Sequence, residues 1–290
     1  MIGQLLVGAA IGCLYALIAQ GFTLTFRTTG TMNFAVGEFV AIGAFVALGL
    51  AGVAWLPAPA KLVVAALLVA LLGALVFRFL IRPFLNRGAH DVRWLLVTVA
   101  LSMLLVDMLR NSQGTQHRPM GFAKADGLLD LGIARLPTQL ALMAVVCLAL
   151  VVAIALLVTR TGLGTRMQAV AEDAETAELV GIDARRTGLI SYALGSGAAV
   201  IGASLWIAYV GVFPDVGPLL LVSAFAAAVI GGLGSVWGVL AGGLIFGVTD
   251  QMMTVWFDAT VGSIAGLVAV IAILVVRPAG LFAQRQEVKV

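Results

Sequence analysis

The sequence has few charged residues for its length. Lysine, arginine, aspartate and glutamate make up 11% of its 290 residues, whereas a soluble globular domain carries about 25%. Hydrophobic residues make up 62%, and the mean hydropathy is +1.12. Such a chain cannot cover a water-facing surface with polar groups. The composition therefore predicts an integral membrane protein and excludes an ordinary cytosolic enzyme.

Residues that carry catalysis or bind cofactors are scarce as well. The two histidines, His90 and His117, lie in opposite loops of the predicted topology, so we expect no metal site and no acid–base pair. The two cysteines, Cys13 and Cys147, lie in long apolar runs, where a free thiol behaves as a small hydrophobic group. No Gly-x4-Gly-Lys phosphate-binding loop occurs in the sequence. We therefore expect no enzymatic activity and no cofactor.

Long uncharged runs divide the chain into membrane spans. A helix needs about 20 apolar residues to cross the hydrocarbon core. On that scale the sequence predicts nine candidate spans, at residues 2–26, 34–54, 60–77, 92–109, 138–158, 188–210, 219–233, 238–254 and 261–276. The seventh is short and runs into a glycine-rich stretch. The predicted fold is an all-α polytopic membrane protein with eight or nine transmembrane helices, one or two of them broken or re-entrant, in a single domain over residues 1–290.

Positive charge is concentrated in a few loops. The stretch from Arg78 to Arg87, with Arg93 after it, is strongly basic. The loop at residues 51–59 contains no charged residue. Because short basic loops stay in the cytoplasm, we expect a periplasmic N-terminus and a cytoplasmic C-terminus. The net charge of only +3 does not indicate a nucleic-acid partner.

Glycine is abundant, with 34 residues. Gly238-x3-Gly242 and Gly243-x3-Gly247 have the spacing with which small residues let helices approach closely in lipid. Close helix packing is one interpretation of this pattern, and a pore or substrate cleft lined by unwound backbone is the other.

The polar segment 159–187 is predicted to lie in the cytoplasm between two spans. Thr165 and Gln168 have the spacing of a capping box at a helix N-terminus, and Gly181 fits a left-handed helix end, so we expect one helix of about 15 residues. Its apolar residues lie on one side and its acids mostly on the other. A helix lying on the membrane surface and a helix that docks onto a partner both fit this pattern.

Several blocks of the sequence resemble one family. Glu175-x-Ala177-x3-Gly181 resembles the coupling-loop pattern Glu-Ala-Ala-x3-Gly of ABC importer permeases. Residues 15–21 followed by 32–38 resemble the amino-terminal signature of the branched-chain amino-acid ABC transporter permeases, and residues 169–173 and 224–235 are similar to further blocks of that family. The length suits the smaller of its two permease subunits. One departure is Val36, where many members carry histidine.

The resemblance implies a multi-pass subunit of the bacterial inner membrane, in an ATP-driven importer of branched-chain or other hydrophobic amino acids. The implied partners are a second related permease subunit, two cytoplasmic ABC ATPase subunits, a periplasmic substrate-binding protein and membrane lipid. The candidate residues for ATPase coupling in the segment are Glu172, Glu175, Ala177, Glu178 and Gly181.

Glu38 is the clearest ionisable group within a predicted span, where charge is costly and indicates function. It follows Asn33 and adjoins Gly37 near the cytoplasmic end of the second span. Four roles stay open for it: lining the exit of a pathway, pairing with a partner subunit, capping a broken helix, or bonding to Arg27.

An amino-acid substrate carries both a carboxylate and an ammonium group. Broken helices satisfy the first with helix N-termini and the second with freed carbonyls or an acid. We expect such sites at the glycine-containing interruptions 33–38 and 231–235. Asp107 and Asp250 lie near the outer ends of their spans, where solvation by interfacial water explains the presence of a charge. Members of the family often carry an acid at the position of Asp250. The candidate substrate-pathway residues are Asn33, Gly37, Glu38, Gly231, Gly232, Ser235 and Asp250.

Two other functions compete with this prediction. Within the same family, urea or short amides are the nearest competing substrates. A secondary transporter coupled to an ion gradient would need buried cation or proton ligands in several spans, and three isolated acids do not supply them.

Overall fold

The computed structural model describes residues 1–85, 93–120, 125, 127–130, 132, 135–257, 268 and 275. Six helices in this part of the chain are long and apolar enough to cross a membrane, and two shorter apolar helices accompany them. An all-α polytopic membrane fold is thereby confirmed. These eight helices correspond to the first eight predicted spans, while the predicted span 261–276 falls almost wholly outside the described residues.

The elements follow one another in a simple order. The helices are α1 (Ile2–Thr29), α2 (Val36–Gly49), α3 (Ala58–Val76), α4 (Arg82–Leu85), α5 (Arg93–Gln113), α6 (Thr138–Arg160), α7 (Gly162–Glu172), α8 (Ala174–Leu179), α9 (Ala184–Val210), α10 (Val216–Gly231) and α11 (Val236–Trp256). A 3-10 turn, Leu50–Gly52, extends α2, and a π-helical segment, Phe77–Ile81, joins α3 to α4. Two short antiparallel strands that the sequence did not predict, β1 (Leu128–Asp130) and β2 (Arg135–Pro137), precede α6.

A left-handed glycine and two capping side chains mark three of the helix ends. Gly30 adopts a left-handed conformation with φ of 65° and closes α1. The Asp183 side chain accepts the first-turn N–H of Arg186 at 3.0 Å and so caps α9. The Ser235 hydroxyl accepts the N–H of Gly238 at 3.0 Å and caps α11. These bonds satisfy backbone donors that would otherwise have no partner.

The long helices α1 and α9 pack against each other in opposite directions. Gly21 lies on Gly195, and Gly202 lies on Leu14 and Leu17. α1 contacts α10 and α11, and α9 makes the matching contacts with α2 and α3. The units α1–α3 and α9–α11 therefore pack reciprocally, in the manner of an inverted repeat.

The glycines of α11 allow close packing against two different helices. Gly242 packs on Ala227 of α10, whereas Gly243 and Gly247 pack on Gly12 of α1. A Cβ added at Gly12 would lie only 2.6 Å from the carbonyl oxygen of Gly243. These contacts favour the interpretation as close helix packing over that of an unwound pore.

The segment between α6 and α9 differs from the predicted single helix. Thr165 lies inside α7, where its hydroxyl donates to the carbonyl oxygen of Thr161 at 3.4 Å. The Gln168 side chain donates instead to Glu172, at 3.3 Å. The predicted capping box of Thr165 and Gln168 is therefore wrong, because α7 already begins at Gly162.

The segment also contains a break that the sequence analysis missed. Asp173 adopts an extended conformation, and its Oδ1 accepts the N–H groups of Glu175 at 2.9 Å and Thr176 at 3.2 Å. A short acidic side chain that accepts backbone N–H bonds competes with helix continuation, so α7 ends and α8 begins here. The predicted left-handed end at Gly181 is confirmed, with φ of 85°.

Candidate functional site

The first turns of α2 and α10 meet at two glycines. Gly37 lies directly on the backbone of Gly217, and a Cβ added at Gly217 would lie 2.8 Å from the carbonyl carbon of Gly37. At 1.5 Å per residue, α2 is about 21 Å long and α10 about 24 Å, both shorter than the hydrocarbon core of about 30 Å. Two short helices thus bring together their N-termini, each of which carries partial positive charge.

Asn33 shapes the turn that leads into α2. Its side-chain oxygen accepts the N–H of Ala35 at 3.0 Å, and its carbonyl oxygen accepts the N–H of Val36 at 3.3 Å. The predicted residues Asn33, Gly37 and Glu38 therefore lie together at the start of α2. The role of Asn33 in this turn is structural, since its side chain bonds to its own loop.

Glu38 lies in the first turn of α2 and is completely buried. Neither carboxylate oxygen has a hydrogen-bond partner within the described part of the chain, so a bond to Arg27 is not formed there. The hydroxyl of Ser102, on α5, lies beside the carboxylate. A buried carboxylate without a partner is costly, and the partial positive charge at the N-termini of α2 and α10 offsets part of that cost.

The edge helix α5 covers this position. Its buried residues are Thr98, Val106 and Leu109, and it contacts α2. The Arg110 Nε donates to Asp215 Oδ1 at 3.0 Å, which joins the far end of α5 to the residue preceding α10. Asp107, on the same helix, accepts a bond from Asn111 at 3.1 Å and lies at the surface.

A closed crevice and an aromatic cluster adjoin Asn33. The crevice lies between α1, α9 and the start of α2, and its polar lining includes Thr25, Asn33 and Ser196. It has no room for a water molecule. Nearby, the rings of Phe22, Phe34 and Phe225 lie with centroids 5.8 to 6.3 Å apart. We call these three rings the aromatic cluster.

The second predicted interruption, at residues 231–235, forms the tight turn between α10 and α11. Gly232 has φ of 86°, and Ser235 caps α11. A Cβ added at Gly231 would lie 2.6 Å from Val239 Cα. Gly217 and Gly231 are separated by fourteen residues of one helix, or about 21 Å. The two interruptions therefore lie at opposite ends of α10.

Asp250 lies in α11 and forms a bond across to α1. The Tyr15 hydroxyl donates to Asp250 Oδ2 at 3.4 Å, and the Ser223 hydroxyl of α10 lies beside the same tyrosine. Asp250 was predicted as a site residue, whereas Tyr15 and Ser223 were not predicted as its neighbours. One available signal was the spacing of Tyr15 and Phe22. They are seven residues apart, or two helical turns, and so lie on the same face of α1.

The coupling candidates between α7 and α9 differ in exposure. Glu172, Glu175, Glu178 and Gly181 are exposed, whereas Ala177 is only 3% exposed because it faces the rest of the chain. The two residues that follow Glu178 are apolar and exposed, Leu179 at 88% and Val180 at 71%. The sequence predicted only that the apolar residues of this segment share one side of a helix.

Asp173 maintains the break between α7 and α8 over a wide pH range. The Thr176 hydroxyl and two backbone N–H groups donate to its carboxylate and hold the pKa of that carboxyl below its ordinary value. The cap is therefore intact at neutral pH and is lost only as the pH falls through this lowered pKa.

The long helices, the two short helices that meet at their N-termini and the exposed segment between α6 and α9 define a polytopic helical membrane protein. A family model described as "Branched-chain amino acid transport system / permease component" matches residues 4–277. The chain belongs to this family of permeases.

Relatives in this family match over nearly the whole chain. The high-affinity branched-chain amino acid transport system permease protein BraD of Pseudomonas aeruginosa is 29% identical, over 99% of this chain and 97% of its own. The probable branched-chain amino acid transport permease protein LivH of Methanocaldococcus jannaschii is 27% identical, over 96% and 91%. LivH of Escherichia coli K12 is 27% identical, over 99% and 97%. A solved structure, PsaBC from Streptococcus pneumoniae in complex with Fab, aligns with a TM-score of 0.47 and 11% identity, over 93% of this chain and 87% of that one.

Proposed function

We propose that this chain is a permease subunit of an ATP-driven importer and translocates branched-chain or other hydrophobic amino acids. The family match over residues 4–277 carries the proposal. The names of the relatives from Pseudomonas and Escherichia, which are branched-chain amino acid transport permeases, support the substrate class. Because the sequence has no phosphate-binding loop, we assign ATP hydrolysis to separate ATPase subunits.

We propose that the substrate path follows α10, with Asn33, Gly37 and Glu38 beside its start. The positive N-termini of α2 and α10 suit the carboxylate of an amino acid. The aromatic cluster suits a hydrophobic side chain, and the crevice without room for water corresponds to a closed path. Asp250 contributes an acid to the same group of helices. Gly231, Gly232 and Ser235 would bound the path at the far end of α10.

We propose an inner-membrane location with a periplasmic N-terminus. Arg27 lies in the last turn of α1 and Arg160 in the last turn of α6, and α7 packs against α1, α6 and α9. Arginines near these helix ends support a cytoplasmic position for the segment 159–187. The same topology leaves the N-terminal end of α1 on the side where a periplasmic binding protein delivers substrate.

We propose that Leu179 and Val180 form the contact with an ATPase subunit. Large apolar side chains exposed on a polar, water-facing segment indicate a protein interface. The surrounding acids Glu172, Glu175 and Glu178 provide a charged rim for it. Ala177 packs inward against the rest of the chain and so holds α8 in place. Gly181 sets the direction of the chain after α8. The second related permease subunit completes the assembly around the path.

Transport by the reconstituted complex tests this proposal. Proteoliposomes would contain this chain, the second permease and both ATPases, with the binding protein outside and ATP inside, in the orientation that imports. The expected result is ATP-dependent accumulation of leucine or valine. Accumulation of urea or acetamide without any of a branched-chain amino acid would replace the proposed substrate class with the competing one.

A further inference from the structure

Polar side chains from α1, α10 and α11 meet in one cluster. Tyr15 of α1 donates to Asp250 of α11 at 3.4 Å, and Ser223 of α10 lies beside Tyr15. The Phe246 ring packs edge-on against the Tyr15 ring, with centroids 5.6 Å apart. Tyr15 is 8% exposed, whereas Asp250 is partly exposed. We call Tyr15, Ser223 and Asp250 the polar triad.

The polar triad lies at membrane depth. Trp237 and Trp256 are exposed near the two ends of α11, and exposed tryptophans mark the membrane interfaces. They are nineteen residues apart, or about 28 Å, which matches the thickness of the hydrocarbon core. Asp250 lies six residues before Trp256, about 9 Å inside that boundary. A carboxylate at this depth faces a polar ligand, water or protein and not lipid.

The chemistry of the polar triad is complementary to a primary ammonium group. The Asp250 carboxylate supplies negative charge and is held by the Tyr15 hydroxyl, and the hydroxyl oxygen of Ser223 can accept a hydrogen bond from an N–H donor. The aromatic rings of Tyr15 and Phe246 add surfaces that attract a cation. Within the described residues no lysine or arginine forms a salt bridge with Asp250.

The neighbouring surface suits the rest of a hydrophobic amino acid. Tyr15 and Phe22 lie two turns apart on one face of α1, about 10 Å along the helix. Phe22 belongs to the aromatic cluster, which also includes Phe225, two residues after Ser223 on α10. The polar triad and the aromatic cluster therefore both draw residues from α1 and α10, the first with a negative charge and the second with an apolar surface.

We propose that Asp250 binds the ammonium group of the transported amino acid. Tyr15 positions the Asp250 carboxylate for this contact. Ser223 accepts a further hydrogen bond from the same ammonium. This inference rests on the proposed function, and it adds the residues that recognise one end of the substrate. Glu38, completely buried against α5, is not accessible in this conformation and serves a different role.

Thermal stabilisation of the purified complex, without binding protein, tests the ammonium site. A ligand that binds the folded state raises its Tm. The probes at equal millimolar concentration are isopentylamine, which has an ammonium group only, 4-methylpentanoate, which has a carboxylate only, and leucine, which has both. Isopentylamine and leucine are expected to raise the Tm of the wild type. Asp250→Asn is expected to abolish the isopentylamine shift, and Asp250→Glu to retain part of it.

Two further variants separate binding from structural effects. Asp107→Asn changes an acid on another spanning helix and is expected to keep the full shift. Tyr15→Phe is expected to weaken isopentylamine binding about tenfold, as the loss of a hydrogen bond to a charged group does. Because Tyr15 acts through Asp250, adding Tyr15→Phe to Asp250→Asn should have no further effect on binding.

The inference is overturned if isopentylamine does not shift the wild type, or if Asp250→Asn shows the same shift as the wild type. A lower yield of complex with an unchanged shift would assign the polar triad to helix packing alone. Uptake of leucine keeps the two proposals apart. A wild-type complex that imports no amino acid contradicts the proposed function, whereas equal uptake per complex by wild type and Asp250→Asn contradicts only the ammonium site.

Discussion

Gly37 and Gly217 pack backbone to backbone, each in the first turn of a short helix. Neither position has room for a Cβ, since one added at Gly217 would lie 2.8 Å from the carbonyl oxygen of Gly37. The contact relates the two halves of the molecule, because α2 follows α1 as α10 follows α9. It places two helix N-termini next to the buried carboxylate of Glu38.

Leucine in place of Gly37 should separate these two helices. Inserting a large side chain into a packed interior costs about 1–3 kcal/mol, so Gly37→Leu is expected to lower the Tm of the purified chain by several degrees. Gly49→Leu, in the last turn of the same α2, has nothing within 4 Å of its added Cβ and serves as the control. Equal Tm values for the two variants would contradict the contact.

Glu38→Gln should reduce transport without destabilising the chain. The substitution keeps the shape of the side chain and removes a buried charge that has no partner among the described residues, so thermal stability is expected to be unchanged or higher. Uptake by the complex should fall, because the charge beside the two helix N-termini is lost. Asp107→Asn, at the surface of α5, should transport at the wild-type rate. Equal rates for Glu38→Gln and wild type would exclude a role for the charge.

Much of the helical architecture could be predicted from the sequence, because hydrophobic length alone identifies a helix that crosses lipid. The first eight predicted spans all correspond to helices. Interruptions were predicted at residues 33–38 and 231–235, but Gly217 was not predicted as the residue that Gly37 contacts. Residues Val36-Gly37 and Val216-Gly217 share the same dipeptide, a signal too short to identify without the reciprocal packing of α1 and α9.

Other features depend on tertiary contacts that the sequence does not encode locally. Tyr15 and Asp250 are 235 residues apart, so no spacing rule relates them. Thr165 had the sequence of a cap but lies inside α7, because α7 starts three residues earlier. Ala177 is 3% exposed, a burial that depends on packing against neighbouring helices and that its local sequence does not specify.

Leu179→Ser should weaken the attachment of the ATPase. Burying a leucine side chain contributes about 1.5–3 kcal/mol, so its loss is expected to weaken association at least about tenfold. The Tm of the chain alone should not change, since Leu179 is 88% exposed. Leu128→Ser, which alters an exposed leucine of β1, is the control and should bind the ATPase normally. Measured dissociation constants that do not differ would remove Leu179 from the interface.

Gly181→Ala should weaken the same attachment through the backbone. Gly181 has φ of 85° and no atom within 4 Å of its added Cβ, so the effect is conformational and not steric within the chain. A left-handed alanine costs about 1–2 kcal/mol, which corresponds to an association about 5 to 30 times weaker if the turn must be kept for docking. Gly162→Ala, at a glycine with equal space and no positive φ, should have no effect. Unchanged ATPase binding by Gly181→Ala would show that docking does not require this turn.

The source of the energy for transport distinguishes an importer permease driven by partner ATPases from a secondary transporter. Each tenfold gradient of solute requires about 1.4 kcal/mol. The measurement is leucine accumulation in proteoliposomes that contain the purified chain alone under an imposed proton or sodium gradient, compared with the complete complex supplied with ATP. We expect no accumulation by the chain alone, and accumulation once the second permease, the ATPases, loaded binding protein and ATP are present. Accumulation by the chain alone, driven by the ion gradient, would contradict this expectation and identify a secondary transporter.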